Sequence, residues 1–285
     1  MKQNKLEFTE KETEHNMLMQ FIEQDCFVDT KKKMEYPPVC LSMGEKVLKS
    51  DNGDTILPIP LGTYGNLSVV TAPPKTKKTF FISLLASVYL SGSNIYGGNI
   101  KGHRGDGSLV HFDTEQGLWH CQKVFKRVYD MDKNVNSENY HTFGLRAINY
   151  KTRIKFIEYY LSQKINRPSL VIIDGIADLC SDANNIQESN EVVQKLMEWS
   201  AKYNVHIINV IHQNFGSTKL GTGHLGSFLE KKAETVISLE ANTVNKNWVT
   251  VRCGRSRGYA FDTFSFEVNE KGLPIIVGDL YDPLK

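Results

Sequence analysis

The sequence predicts an α/β fold: a mostly parallel central sheet flanked by helices, with an antiparallel extension at the C-terminal end and a helical arm at the N-terminal end. Three observations carry this expectation. Between residues 65 and 211 short apolar runs alternate with segments of helical periodicity, the order that builds a parallel sheet through helical crossovers. The runs ETVISLEA (234–241), NWVTVRCG (247–254) and FDTFSFEV (261–268) then follow one another across short polar turns, as antiparallel neighbours do at a sheet edge. Near the start, EKETEHNMLMQFIEQ (10–24) carries Met17, Leu18, Phe21 and Ile22 at helical spacing in a polar segment. That pattern predicts an amphipathic helix packed on its own domain or on a partner.

Taken in order, the arm gives way to DTKKKMEYPPV (29–39), where a lysine run and two prolines read as a solvated linker. The boundary falls near residue 35, leaving an arm and linker at 1–35 and one large domain at 36–285. GNLSVV (65–70) is apolar and β-branched like a buried strand, and FFISLLASVYL (80–90) has the density of a buried helix spanning about 79–91. SLVHFD (108–113), a helix over about 117–130, YHTFG (140–144) and TRIKFIEYYLSQKI (152–165) continue the alternation. SLVIID (169–174), NEVVQKLMEWSAKY (190–203) and VHIINVI (205–211) close it. The glycine-rich stretches 91–108 and 215–227 are too long and polar for tight turns and are expected to be mobile loops.

Composition narrows the function classes. Apolar residues make up 40% of the 285 and charged residues 23%, an ordinary globular mix. No apolar run reaches the roughly 18 residues of a membrane span, and the polar start MKQNKLEFTEKETEH lacks a secretion-signal core, so a soluble cytoplasmic protein with no membrane partner is expected. The five cysteines form no C-x-x-C pair and suit neither a disulfide framework nor a zinc site. A net charge of +2 does not announce a protein that coats nucleic acid, although it permits a local basic channel.

The chemistry-bearing stretch is TAPPKTKKTFF (71–81), set between strand and helix. A phosphate loop needs inward-facing backbone N–H groups at a helix start, a lysine for the β- and γ-phosphates and a hydroxyl for magnesium. The pattern G-x-x-x-x-G-K-[ST] maps onto Ala72, Pro73, Pro74, Lys75, Thr76, Lys77, Lys78 and Thr79, so both glycines are missing. Lys77 stands where a left-handed residue is needed, at a cost of about 1–2 kcal/mol if it complies. Pro73 and Pro74 remove two donors, while Lys75, Lys77 and Lys78 bring three cations to one turn. A modified, weakened but used phosphate site is the expectation.

Three strand ends supply partners. Asp174 closes SLVIID, where a carboxylate either meets a magnesium-bound water or caps the next turn. Asp113 and Glu115 follow SLVHF, as a water-activating base or as solvated loop acids. His212 and Gln213 follow VHIINVI, placed to sense a γ-phosphate. Ligands of such sheets bind at the carboxyl ends of the strands.

The order of these pieces, a lysine-threonine loop, HFDTE, VIIDGIADL, VIHQN, a glycine-rich loop, GSFLEKKAETVISL and VRCGRSRG, resembles the RecA-like P-loop ATPase superfamily over roughly residues 55–270. It is nearest to the RepA and DnaB helicase-type branch associated with plasmids and mobile elements. The resemblance implies a RecA-like fold and ATP with Mg2+ as ligands. It implies Lys78 and Thr79 as phosphate and metal groups, Glu115 as base, Asp174 as the second metal-side carboxylate and Gln213 as γ-phosphate sensor. It further implies a homo-oligomeric ring in which loop 215–226 faces single-stranded DNA and Arg255 or Arg257 reaches a neighbour's phosphate. Phe215, Lys219, His224, Phe228, Lys231 and Lys232 are the local groups for DNA contact. Two other readings stand beside the motor: a non-hydrolysing RecA-fold protein that binds DNA or a partner, and a small-molecule kinase. The last is disfavoured by the antiparallel tail with GRSRG in place of a helical lid.

Overall fold

The computed structural model describes residues 10–49, 53–92, 99–213 and 221–277, and the chain divides into two compact units, Met1–Tyr36 and Pro37–Lys285. The first contains helix α1 (Glu10–Cys26), followed by a turn in which the Lys31 amide donates to Asp29 Oδ1. The second holds everything else. Its chain order is β1 (Val39–Leu48), β2 (Thr55–Thr63), β3 (Leu67–Ala72), α2 (Lys78–Ser91), β4 (Ile100–Gly102), β5 (Ser108–Asp113), α3 (Leu118–Met131), β6 (Tyr140–Gly144) and α4 (Tyr150–Ser162). It continues through β7 (Pro168–Asp174), α5 (Ile186–Lys202), β8 (His206–His212), α6 (Gly223–Lys232), β9 (Thr235–Ala241), β10 (Trp248–Ser256), β11 (Phe264–Val268) and β12 (Pro274–Val277).

Nine strands form the main sheet in the order β12-β11-β10-β9-β3-β8-β7-β5-β6. From β9 to β6 every pairing is parallel, and β10, β11 and β12 extend it antiparallel. The physical reason is visible along single strands. In β7, Leu170 and Ile172 enter one core while Val171 and Ile173 enter the other, so a continuous β-branched run is buried on both faces, as parallel strands require. Helices α2 and α3 cover the first face and α4, α5 and α6 the second. Asn149 and Asn185 start α4 and α5 by accepting from the amides of Thr152 and Glu188, the usual N-cap chemistry.

A second sheet, ordered β2-β1-β4, is absent from the sequence expectations. Pro58 and Pro60 interrupt β2, and proline is tolerated in a strand only where its missing N–H faces away from a partner, at an edge. Strand β4 also corrects the reading of 91–108 as a loop: residues 100–102 pair with Leu41–Met43, while 93–98 lie outside the described residues. A Cβ built on Gly102 would sit 2.3 Å from the Val88 carbonyl oxygen and 2.7 Å from Tyr89 Cα, so backbone packs directly on backbone where β4 meets α2. The reading of 215–227 as a loop is corrected as well. Residues 223–232 are helix α6, made possible because Gly226 seats against the Gly221 backbone, where a Cβ would approach to 2.2 Å. Residues 214–220 lie outside the described residues. Among the described residues no helix is long and apolar enough to cross a membrane.

Gly102→Ala is expected to destabilise the protein by about 1–3 kcal/mol, the range for overpacking a close contact, read as a lowered Tm in thermal melts. An unchanged Tm would mean that β4 can lift from α2 without cost.

Candidate functional site

Register brings the carboxyl ends of four strands to one edge: Ala72 opposite His212, Val210 opposite Asp174, and Asp113 opposite both Asp174 and Gly144. The turn after β3 runs through Pro73, Pro74 and Lys75 into α2. Lys75 and Lys77 both have positive φ, at 66° and 57°. Lys77 complies with the left-handed position, and its Nζ donates to the Asn247 carbonyl at 2.8 Å. Thr76 closes the turn by donating its hydroxyl to the Pro73 carbonyl at 2.8 Å. No side chain caps α2 and its first turn holds no acid, so the amides of Lys78 and Thr79 open the helix without intrahelical acceptors.

Behind that helix start sits a partly buried charge cluster. Lys78 Nζ donates to His212 Nδ1 at 2.8 Å, and His212 Nε2 lies 3.6 Å from Glu115 Oε1. The His212 side chain, followed by Lys78, holds the Glu115 carboxyl below its ordinary value against the cost of burial. Burial lowers the Lys78 ammonium pKa, which Glu115 and Asp174 partly restore. Asp174 is pushed up to about 8, first by burial and then by the charges of Asp113 and Glu115. Its Oδ2 is buried with no hydrogen-bond partner among the described residues. Asp113 is spoken for: it accepts from the amides of Glu115 and Gln116 and from Gln116 Nε2.

This arrangement depends on Gly175, whose φ is 99° and whose added Cβ would fall 2.4 Å from Thr114 Oγ1 and 2.5 Å from Glu115 Cγ. The Thr114 hydroxyl donates to the Gly175 carbonyl at 2.7 Å, which knits the turns after β5 and β7 together. Thr79 stands beside Lys78 in the first turn of α2, and its carbonyl accepts from Arg127, which also stacks on Phe80.

The structure therefore brings Lys78, Glu115 and Asp174 together and adds His212. It turns Gln213 elsewhere: that amide is buried and donates to Thr71 Oγ1 at 3.1 Å. Arg255 pairs with Val236 at the opposite, amino-terminal end of the parallel strands, and Arg257 donates to the Lys232 carbonyl at 2.9 Å. Neither arginine joins the cluster. Phe215 and Lys219 lie outside the described residues, whereas α6 places His224 against Phe228 and Lys231 over the same ring. A divalent cation suits what is present, because the orphaned Asp174 oxygen and the Thr79 hydroxyl are hard oxygen donors, and Mg2+ is commonly held by one or two such groups with waters and phosphate.

The AAA domain family model matches residues 59–217. Among solved structures, an ATPase domain of the DnaB-like helicase type aligns with a TM-score of 0.56 at 16% identity, over 76% of this chain and 87% of that one. A likeness at this identity speaks for the fold, which is that of a RecA-like P-loop ATPase. No curated protein matches the chain.

The Asp174 carboxyl ionises near 3.8 in the unfolded chain and near 8 when folded, so the folded state binds the extra proton between those values. Its stabilising contribution is complete below about pH 4 and is lost as pH rises through about 8. Asp174→Asn is expected to flatten that dependence and to raise Tm by about 2–5 °C at alkaline pH. Parallel Tm-against-pH curves for wild type and variant would count against it.

Proposed function

We propose that this chain, which belongs to the AAA domain family, is an ATP-dependent motor or loader of the RepA type. Its polymer is single-stranded DNA, its setting the replication or mobilisation of a mobile element, and its assembly a homo-oligomeric ring. The observation that carries the nucleotide part is the convergence of Lys78, Glu115 and Asp174 beside the uncapped start of α2. An anion is the natural partner there, since backbone N–H groups and several lysines meet at one helix terminus.

In this reading Lys78 supplies the point charge that meets the β- and γ-phosphates, and the amides of Lys78 and Thr79 add directed donors. The Thr79 hydroxyl and Asp174 would hold Mg2+, whose contribution is to neutralise charge developing between the outer phosphates. Glu115, held ionised by its neighbours, takes the proton of the attacking water as the water oxygen bonds to the γ-phosphorus and the bond to the departing ADP breaks. Gln213 would have to leave Thr71 to sense the γ-phosphate, and Arg255 or Arg257 would serve a neighbouring subunit. The DNA part is supported by α6, where His224, Phe228 and Lys231 combine ring faces with a cation, the pairing that holds single-stranded nucleic acid.

A second reading keeps the fold and drops the turnover. Pro73 and Pro74 carry no amide hydrogen and Lys77 holds a strained conformation, features compatible with a site that binds nucleotide as a structural element.

The readings separate on one set of measurements. Lys78→Ala is expected to lose most ATP affinity, while Glu115→Gln keeps affinity and loses turnover by about two to four orders of magnitude. Equal hydrolysis by Glu115→Gln and wild type would remove Glu115 as the base, and no hydrolysis by wild type would leave the second reading. For the ring, an Arg255→Ala, Arg257→Ala protein mixed with Lys78→Ala protein is expected to recover part of the ATPase activity. Activity that stays at the parents' background in co-assembled mixtures would exclude a finger in trans.

A further inference from the structure

His212 lies between the two groups on which the proposed hydrolysis turns, and its own position is fixed from three sides. Its backbone pairs with Ala72 in the sheet. Its carbonyl accepts both the amide and the hydroxyl of Thr222, each at 2.8 Å, at the entry to α6. The next residue, Gln213, donates its amide to the Ala72 carbonyl at 3.0 Å. The ring thus projects from a post tied to the phosphate-loop strand on one side and to α6 on the other.

The ring's hydrogen bonds define its chemistry. A lysine ammonium only donates, so at 2.8 Å from Lys78 Nζ the Nδ1 of His212 is an acceptor. The proton of the neutral ring then sits on Nε2, the nitrogen 3.6 Å from Glu115 Oε1. One imidazole accepts from the phosphate lysine and offers its N–H to the candidate base.

We propose that His212 is a positioning residue that sets Lys78 and Glu115 in fixed relation to each other, so that the charge on the phosphates and the base for the water are aligned by one rigid ring. The proposal rests on the hydrolytic reading of the site. Nearby, Arg127 and Ser83 steady α2 from the other side, but the polar contacts of His212 reach both Lys78 and Glu115.

The test separates the two contacts by chemistry. An asparagine at 212 places an amide oxygen near the position of Nδ1 and can accept from Lys78, but it is too short to reach Glu115. A glutamine extends its amide toward the Nε2 position and can donate there. Affinity is measured with a fluorescent non-hydrolysable ATP analogue and turnover with ATP and Mg2+. His212→Ala is expected to weaken affinity and to lower turnover by about 10- to 100-fold, the scale of a displaced catalytic group. His212→Asn is expected to keep affinity within about twofold of wild type with turnover as low as the alanine variant, and His212→Gln to recover turnover.

Turnover within about twofold of wild type in His212→Ala, or Asn and Gln variants that behave like Ala in both measurements, overturns the role of His212 while leaving the hydrolytic reading intact. A wild-type protein without magnesium-dependent hydrolysis overturns that reading and the proposal with it. A measurement independent of any variant is the ring nitrogen spectrum of isotopically labelled wild type. The Nε2–H tautomer of His212 is expected, and a proton on Nδ1 instead overturns the proposal.

Discussion

One partly buried cation governs this site. Lys78 stands among the carboxyl groups of Glu115 and Asp174, with Asp113 close behind, in surroundings where burial penalises every charge. A single ammonium cannot balance three ionised acids at low dielectric, and the protein distributes the problem. Asp113 is satisfied by donors of its own turn, Glu115 is kept ionised beside His212, and Asp174 takes up a proton because no described residue donates to its buried oxygen. Three acids of similar chemistry thus acquire three different states. That differentiation is what permits one of them to act as a base and another to offer oxygen to a cation.

Much of this was legible in the residues. SLVHFD and YHTFG form strands with the boundaries their apolar pattern indicates, because a run of apolar residues between polar turns marks its own ends. Lys78, Asp113, Glu115, Asp174 and His212 could be assigned to one sheet edge because parallel strands run the same way and end together. What the pattern could not convey was facing. His212 and Gln213 are adjacent, and successive side chains of a strand point to opposite sides, so only one could meet Lys78. The parity that selects His212 is set by register with β3, a tertiary fact. The small sheet was hidden for another reason: Pro58 and Pro60 look like breakers unless the strand is known to be an edge. Helix α6 was hidden by glycines that serve close packing.

The phosphate turn illustrates how a departure from an expected pattern is accommodated. A lysine in the left-handed region costs about 1–2 kcal/mol relative to glycine, yet the Lys77 side chain is tied to the carbonyl of Asn247 just before β10. A net hydrogen bond to a charged donor is worth roughly the same amount. The strain therefore fastens the turn to the antiparallel extension, which a glycine at this position could not do.

The seat of α2 has a dynamic consequence. Ten consecutive residues of that helix, Phe81 to Leu90, are buried, and its far end rests against the bare backbone of Gly102 with no side chain between them to act as a bearing. A helix gripped in this way can neither roll nor slide by a fraction of a turn without breaking interior contacts on every side. It serves as the stationary frame of the molecule. Any motion that accompanies the chemistry must then be carried by parts with more exposed surroundings: the turn after β5, the end of β8 and the amphipathic helix α6 that hangs from it.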